Sequence, residues 1–135
     1  MIAFVVKWTI KKGSEKKALK GLKELAKEVE QEKETLMYLV HTPDPIQFTC
    51  SDGSEHESLP TPSGREVIFF EQYINEEAFC QHVNGAAFKK FLKNYGNLFL
   101  YSNGEPFVTI EFLKRQAGFI RPEALSASKS VTRAR

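Results

Sequence analysis

Three stretches of this chain carry apolar side chains on both faces of an extended backbone, and few folds can bury such strands. Residues 2–10 set Ile2, Phe4, Val6, Trp8 and Ile10 against Ala3, Val5, Lys7 and Thr9. Residues 66–74 set Val67, Phe69, Glu71 and Tyr73 against Ile68, Phe70, Gln72 and Ile74. Residues 107–113 set Phe107, Thr109 and Glu111 against Val108, Ile110 and Phe112. Successive side chains of a strand point to opposite faces, so a sheet of these segments is apolar on both sides. Helices can cover one side. The other needs a second apolar surface, because large bare apolar patches mark interfaces.

The segments between supply the helices. Lys11-Lys12-Gly13 reads as a turn and Ser14 as a helix N-cap, with Glu15 suited to the positive end of the dipole. Ala18, Leu22, Leu25, Ala26 and Val29 recur at helical spacing and predict an amphipathic helix over 14–34, its lysines and glutamates facing solvent. Residues 36–41 read as a strand that Pro43 and Pro45 end. Asn75 is placed to cap a short helix over 76–83, which Asn84-Gly85 breaks. A second helix over 86–95 carries Phe88, Phe91, Leu92 and Tyr95 on one face, with Gly96 as its stop. Leu98 to Ser102 is ambiguous, and Asn103-Gly104 marks a turn. The order strand–helix–strand–strand–helix–strand is the split βαβ, ferredoxin-like α+β pattern with an antiparallel sheet. We expect two such sheets to pack face to face as a homodimer, a dimeric α+β barrel.

Residues 1–115 fit one domain of ordinary size. Residues 43–64 form an irregular insertion with four acids and no Lys or Arg, in which 46–50 has the makings of a short strand. Residues 116–135 form a polar, basic tail. The net charge of +2 lacks the basic excess of a nucleic-acid binder, and no apolar run approaches the ~20 residues of a membrane span. No secretory signal opens the chain, so a cytoplasmic protein is expected, with Cys50 and Cys80 as free thiols. His41 and His56 are expected at the surface. Eleven Phe residues exceed what a small core needs, and spare aromatic surface can line a pocket.

The run from Val67 to Phe91 resembles the antibiotic biosynthesis monooxygenase (ABM) family: a strand ending in Glu-x-aromatic, then a His, a short break and an aromatic-rich helix. Glu71, Tyr73, Ala78, His82, Phe88 and Phe91 stand in those places. The resemblance covers about 1–113. It implies oxygenation of aromatic polyketides or quinols by O2 without metal or flavin, or haem degradation, while other members have no established activity. Haem degraders resemble a pattern with Asn, Trp and His where this chain has Val6, Tyr73 and Leu92; Val6 has no amide and Leu92 cannot ligate iron. The polyketide oxygenases favour Trp where Tyr73 stands and Asn where Phe69 stands.

Metal-free oxygenation begins with an electron-rich anion that passes an electron to O2. The protein must supply a dry pocket, a proton acceptor and donors for the anion. His82 and Tyr73 are the catalytic candidates. Trp8, Phe69, Glu71, Phe79, Phe88, Phe91 and Tyr95 are the substrate-binding candidates. No metal ligand set and no cofactor are expected; the partners are a small apolar phenol, quinol or enol, polyketide- or oxylipin-like, and O2. An imidazole near ~6.5 and a phenol near ~10 differ by about 5 kcal/mol. One oxyanion-type donor contributes about 2.7–4 kcal/mol. His82 therefore needs a donor beside it or a more acidic substrate. Three hypotheses remain at this stage: a cofactor-independent oxygenase, a dimeric binding module, and haem binding through a residue other than Leu92.

Overall fold

The computed structural model describes residues 1–58, 65–102, 105, 106 and 108–127. The expected turn at 103–104, Phe107 and the end of the tail lie outside them. Strand β1 (Ile2–Thr9) leads through a turn at Gly13 into helix α1 (Glu15–Val29) and strand β2 (Thr35–His41). A short hairpin follows, β3 (Gln47–Thr49) and β4 (Glu55–Glu57), then strand β5 (Glu66–Tyr73). Helices α2 (Glu76–Asn84) and α3 (Ala86–Tyr95) come next, with a tight turn at Gly96–Leu98. Short β6 (Tyr101–Ser102) and β7 (Glu105–Pro106) precede β8 (Val108–Leu113) and helix α4 (Pro122–Ala127).

The main sheet is antiparallel, in the order β2-β5-β1-β8. This is the expected ferredoxin-like arrangement, with the first and third long strands central. Its register carries the alternation of the sequence into space. Phe4 lies opposite Glu71, Val6 opposite Phe69 and Trp8 opposite Val67, all on the face that the helices cover. On that face Phe4, Val6, Trp8, Ile10, Val67, Phe69 and Tyr73 are buried against Ala18, Leu22, Leu25 and Val29 of α1, with Ala78 of α2 and Phe91 of α3. The opposite face pairs Val5 with Phe70, Leu39 with Phe70 and Ala3 with Leu113. No described element covers it: Phe70 is 41% exposed and Leu113 49%.

Gly13 has φ of +88°, a left-handed conformation that side chains resist, which lets β1 reverse into α1. Two local expectations need correction. Ser14 makes no side-chain cap; backbone N–H groups of Glu15 and Gly13 instead hold the Glu15 carboxyl below its usual range. Helix α1 stops at Val29, not 34, because the apolar stripe ends there. The polar run beyond it tightens into turns, with N–H of Gln31 on the Glu28 carbonyl at 3.0 Å and N–H of Glu32 on that of Val29 at 2.8 Å. Gly96 does stop α3 as its C-cap, in a right-handed conformation (φ −56°) that leads into a tight turn. Asn75 does cap α2, its Oδ1 accepting from N–H of Ala78 at 2.8 Å.

The insertion is less irregular than its composition implies. The β3–β4 hairpin turns at Asp52, whose carboxylate accepts from the N–H and hydroxyl of Ser54 at 3.0 and 2.7 Å. That pattern is a self-bonding Asx turn. His41 and His56 are exposed, as are the unbridged Cys50 and Cys80. The start of the tail, 116–124, is also exposed, and no described helix is long and apolar enough to cross a membrane.

Candidate active site

Between the helices and the sheet lies an apolar cavity of about 270 Å³. Phe4, Val6 and Trp8 of β1 and Phe69 of β5 form its sheet wall. Phe79 and His82 of α2, Phe88 and Leu92 of α3, and Leu25 of α1 form its helix wall. Ile110 of β8 and Tyr38 of β2 stand at the two sheet edges. Among the lining residues there is no Lys or Arg.

Helix α2 positions His82. Ala78, one turn earlier on the same face, is buried in the core, and the imidazole follows it to 3% exposure. Its Nδ1 lies 2.8 Å from Oε2 of Glu32. Glu32 reaches it because α1 has already ended: the turn after Val29 swings the carboxylate inward, where the Thr35 hydroxyl also donates to Oε2 at 3.3 Å. Rings of Phe88, Tyr38 and Tyr73 lie 5.3, 5.4 and 5.6 Å from the imidazole. A carboxylate accepting at Nδ1 fixes the tautomer and leaves Nε2 as the basic nitrogen.

A second polar pair comes from β5. Glu71 and Tyr73 share a face because they are two residues apart, and the Tyr73 hydroxyl donates to Glu71 Oε1 at 2.7 Å. Burial pushes the Glu71 carboxyl up to about 7; the bond from Tyr73 opposes that rise and the nearby Glu32 charge adds to it. Burial also raises the Tyr73 phenol far above its ordinary range, helped by Glu71 beside it. Tyr38 is raised well above its usual value by burial, then by Glu71 and Glu32. Both phenols therefore stay protonated and keep an O–H to donate.

Of the residues singled out from the sequence, Trp8, Phe69, Glu71, Phe79, His82 and Phe88 line the cavity. Tyr73 is wholly buried beside it, with its hydroxyl on Glu71. Phe91 and Tyr95 are elsewhere. Phe91 packs behind Trp8, 5.9 Å from it and from Phe99. Tyr95 lies over Gly21 of α1 and donates to Glu24 at 2.9 Å. The crevice there holds about 10 Å³, no more than a water.

Glu32 and Tyr38 were not among the sequence candidates. Glu32 reads as one more solvated acid of a helix that in fact stops short of it. Tyr38 shares one face of β2 with Val40, but Met37 and Leu39 on the other face are as apolar, so alternation over 36–41 does not say which set the helices cover. Among the described residues, no three of His, Cys, Asp and Glu gather as a metal ion would require.

The antibiotic biosynthesis monooxygenase family model matches residues 1–94. A search of curated protein sequences gives no match. Solved structures of this fold are similar. A crystal structure of an antibiotic biosynthesis monooxygenase is 14% identical, covering 87% of this chain and all of its own, with a TM-score of 0.61. PA3566 from Pseudomonas aeruginosa is 18% identical over 86% of this chain and 94% of its own, with a TM-score of 0.64. Rv0793 from Mycobacterium tuberculosis is 14% identical over 87% and 96%, with a TM-score of 0.57. These identities speak for the fold. The family match spans most of the chain and contains β1, β5 and every cavity-lining residue of the three helices, and on that ground the chain belongs to the antibiotic biosynthesis monooxygenase family.

Proposed function

We propose that the cavity binds a small, mostly apolar quinol, phenol or enolisable aromatic ketone and oxygenates it with O2, using no cofactor. The observation that carries this is the buried imidazole of His82, held at Nδ1 by Glu32 in the wall of an apolar cavity. Nε2 of His82 takes the substrate proton. The resulting anion gives one electron to O2, and the substrate radical and superoxide combine through a new C–O bond. The peroxide takes up a proton. Loss of the second C–H proton with cleavage of the O–O bond then releases water and leaves a carbonyl. For a ring CH2 the balance is substrate CH2 plus O2 to C=O plus H2O, with all four electrons drawn from the substrate.

The protein's part is deprotonation, enclosure and hydrogen bonding. The cavity's aromatic walls exclude water, which would otherwise stabilise charge separation in the wrong place. Tyr38, kept protonated, is the donor for the substrate anion. Below about pH 7 Glu71 keeps its own proton and sets no charge against that anion. Leu92 lines the helix wall with methyl groups, and no Lys or Arg lines the cavity to receive propionates, so the arrangement favours this substrate class over haem.

We also propose a homodimer through the open sheet face of Val5, Leu39 and Phe70. The test is solution mass at micromolar concentration, where a stable monomer would contradict it.

O2 uptake by chelator-treated protein with a panel of quinols and anthrones tests the reaction. Uptake by the wild type that His82→Ala abolishes supports both reaction and base. Uptake unchanged in the variant retains the enzyme and discards His82. No uptake with any compound favours a second reading, a dimeric binding module. One observation supports that alternative: the Tyr73 hydroxyl is committed to Glu71 rather than offered to a ligand.

A further inference from the structure

Among its lining residues the cavity has a carboxylate, Glu71, and no Lys or Arg. Apart from the Trp8 indole, its lining offers polar atoms only on Tyr38, Glu71 and His82. Glu71 is 7% exposed, and a neutral phenol is what it meets at Oε1. A second carboxylate, Glu32, lies directly behind His82 at 2.8 Å. An anionic substituent entering this space would shed its water and face a carboxylate that bulk salt screens poorly. A hydroxyl would instead find an acceptor able to form a charge-assisted hydrogen bond. At about 270 Å³ the cavity falls below the usual ligand-pocket range of about 300–1,000 Å³, so a substituent on a two-ring ligand cannot stand far from Glu71.

We propose that Glu71 makes the cavity selective for uncharged aromatic ligands that donate a hydrogen bond, and against their carboxylated or phosphorylated counterparts. The proposal rests on the reading of this cavity as a small-molecule site, though not on turnover there. Apolar lining alone already disfavours a carboxylate through lost hydration; Glu71 adds a like charge against it and an acceptor for a donor, and only that added part is removed with the carboxylate.

The test is calorimetric titration of the full chain at pH 8 with 3-hydroxy-2-naphthamide and 3-hydroxy-2-naphthoate, which match in size and differ in charge. The amide is expected to bind the wild type at least tenfold more tightly. Glu71→Gln and, independently, Glu71→Met are each expected to shrink that ratio at least threefold. Equal affinities in the wild type, a preference for the carboxylate, no binding of either compound, or a ratio retained in both variants would each overturn the proposal. The wild-type comparison decides against it even where neither variant folds. Selectivity in a protein that consumes no O2 with any quinol would keep this inference and discard the oxygenase, while O2 uptake alongside equal affinities would do the reverse.

Discussion

At the residue scale the molecule stores two buried carboxylate contacts, Glu32 with His82 and Glu71 with Tyr73, and each has a measurable consequence. The Glu71 carboxyl rises from 4.5 to about 7 in the folded protein. Between those values the folded state keeps a proton that the unfolded chain has released. Its contribution to stability is thus full below pH 4.5 and is lost as pH rises through about 7. The loss amounts to about 3 kcal/mol at most. Glu71→Gln, which keeps an acceptor for Tyr73 and removes the charge, should raise the melting temperature at pH 8 and change it little at pH 5; equal shifts at both would contradict the assignment. In the proposed mechanism Glu32 acts through His82 as a positioning residue. Glu32→Gln should alter the Nδ1–H proton resonance of His82 and the pH profile of turnover, whereas Glu32→Asp should partly restore both. A purely structural Glu32 would change stability and leave the resonance in place.

At the element scale, packing rather than local propensity sets the geometry. Asn75 caps α2, and its replacement by Ala should cost about 1 kcal/mol in denaturant unfolding. Gly21 admits the Tyr95 ring so closely that an added Cβ would lie 2.5 Å from the ring's Cγ. Gly21→Ala should therefore destabilise by about 1–3 kcal/mol through overpacking, measured in the same way. The long strands, both helix faces and the cap at Asn75 are legible in the sequence, because alternation, 3.6-residue periodicity and a capping side chain are local signals. The end of α1 is not legible, since residues 30–34 are good helix formers and the turn that replaces them depends on tertiary bonds to Glu32. The face of Tyr38 is not legible either, because Tyr38 and Val40 on one side of β2 and Met37 and Leu39 on the other are equally apolar pairs. Phe88, Phe91 and Tyr95 share a helical stripe, yet only Phe88 reaches the cavity: one stripe passes over both the cavity and the packed contact with α1.

At the scale of the whole molecule, the sheet divides the chain into a helix-covered side with the cavity and an open side with Phe70 and Leu113 exposed. That division follows from strands apolar on both faces, the feature from which the fold was legible at the outset. The substrate was not, because the cavity's shape and charge depend on residues from seven elements and one turn. If the open side is the dimer interface, Phe70→Asp should give a monomer by sedimentation equilibrium, and a variant that stays dimeric would place the interface elsewhere. The central claim is oxygenation in the cavity by His82 and O2. Mass spectrometry of the product formed under ¹⁸O2 from an anthrone, in chelator-treated protein, tests it most directly. The account predicts one ¹⁸O atom in the new carbonyl, with its formation lost in His82→Ala. A product carrying oxygen only from water, or formed as fast without the protein, would contradict it.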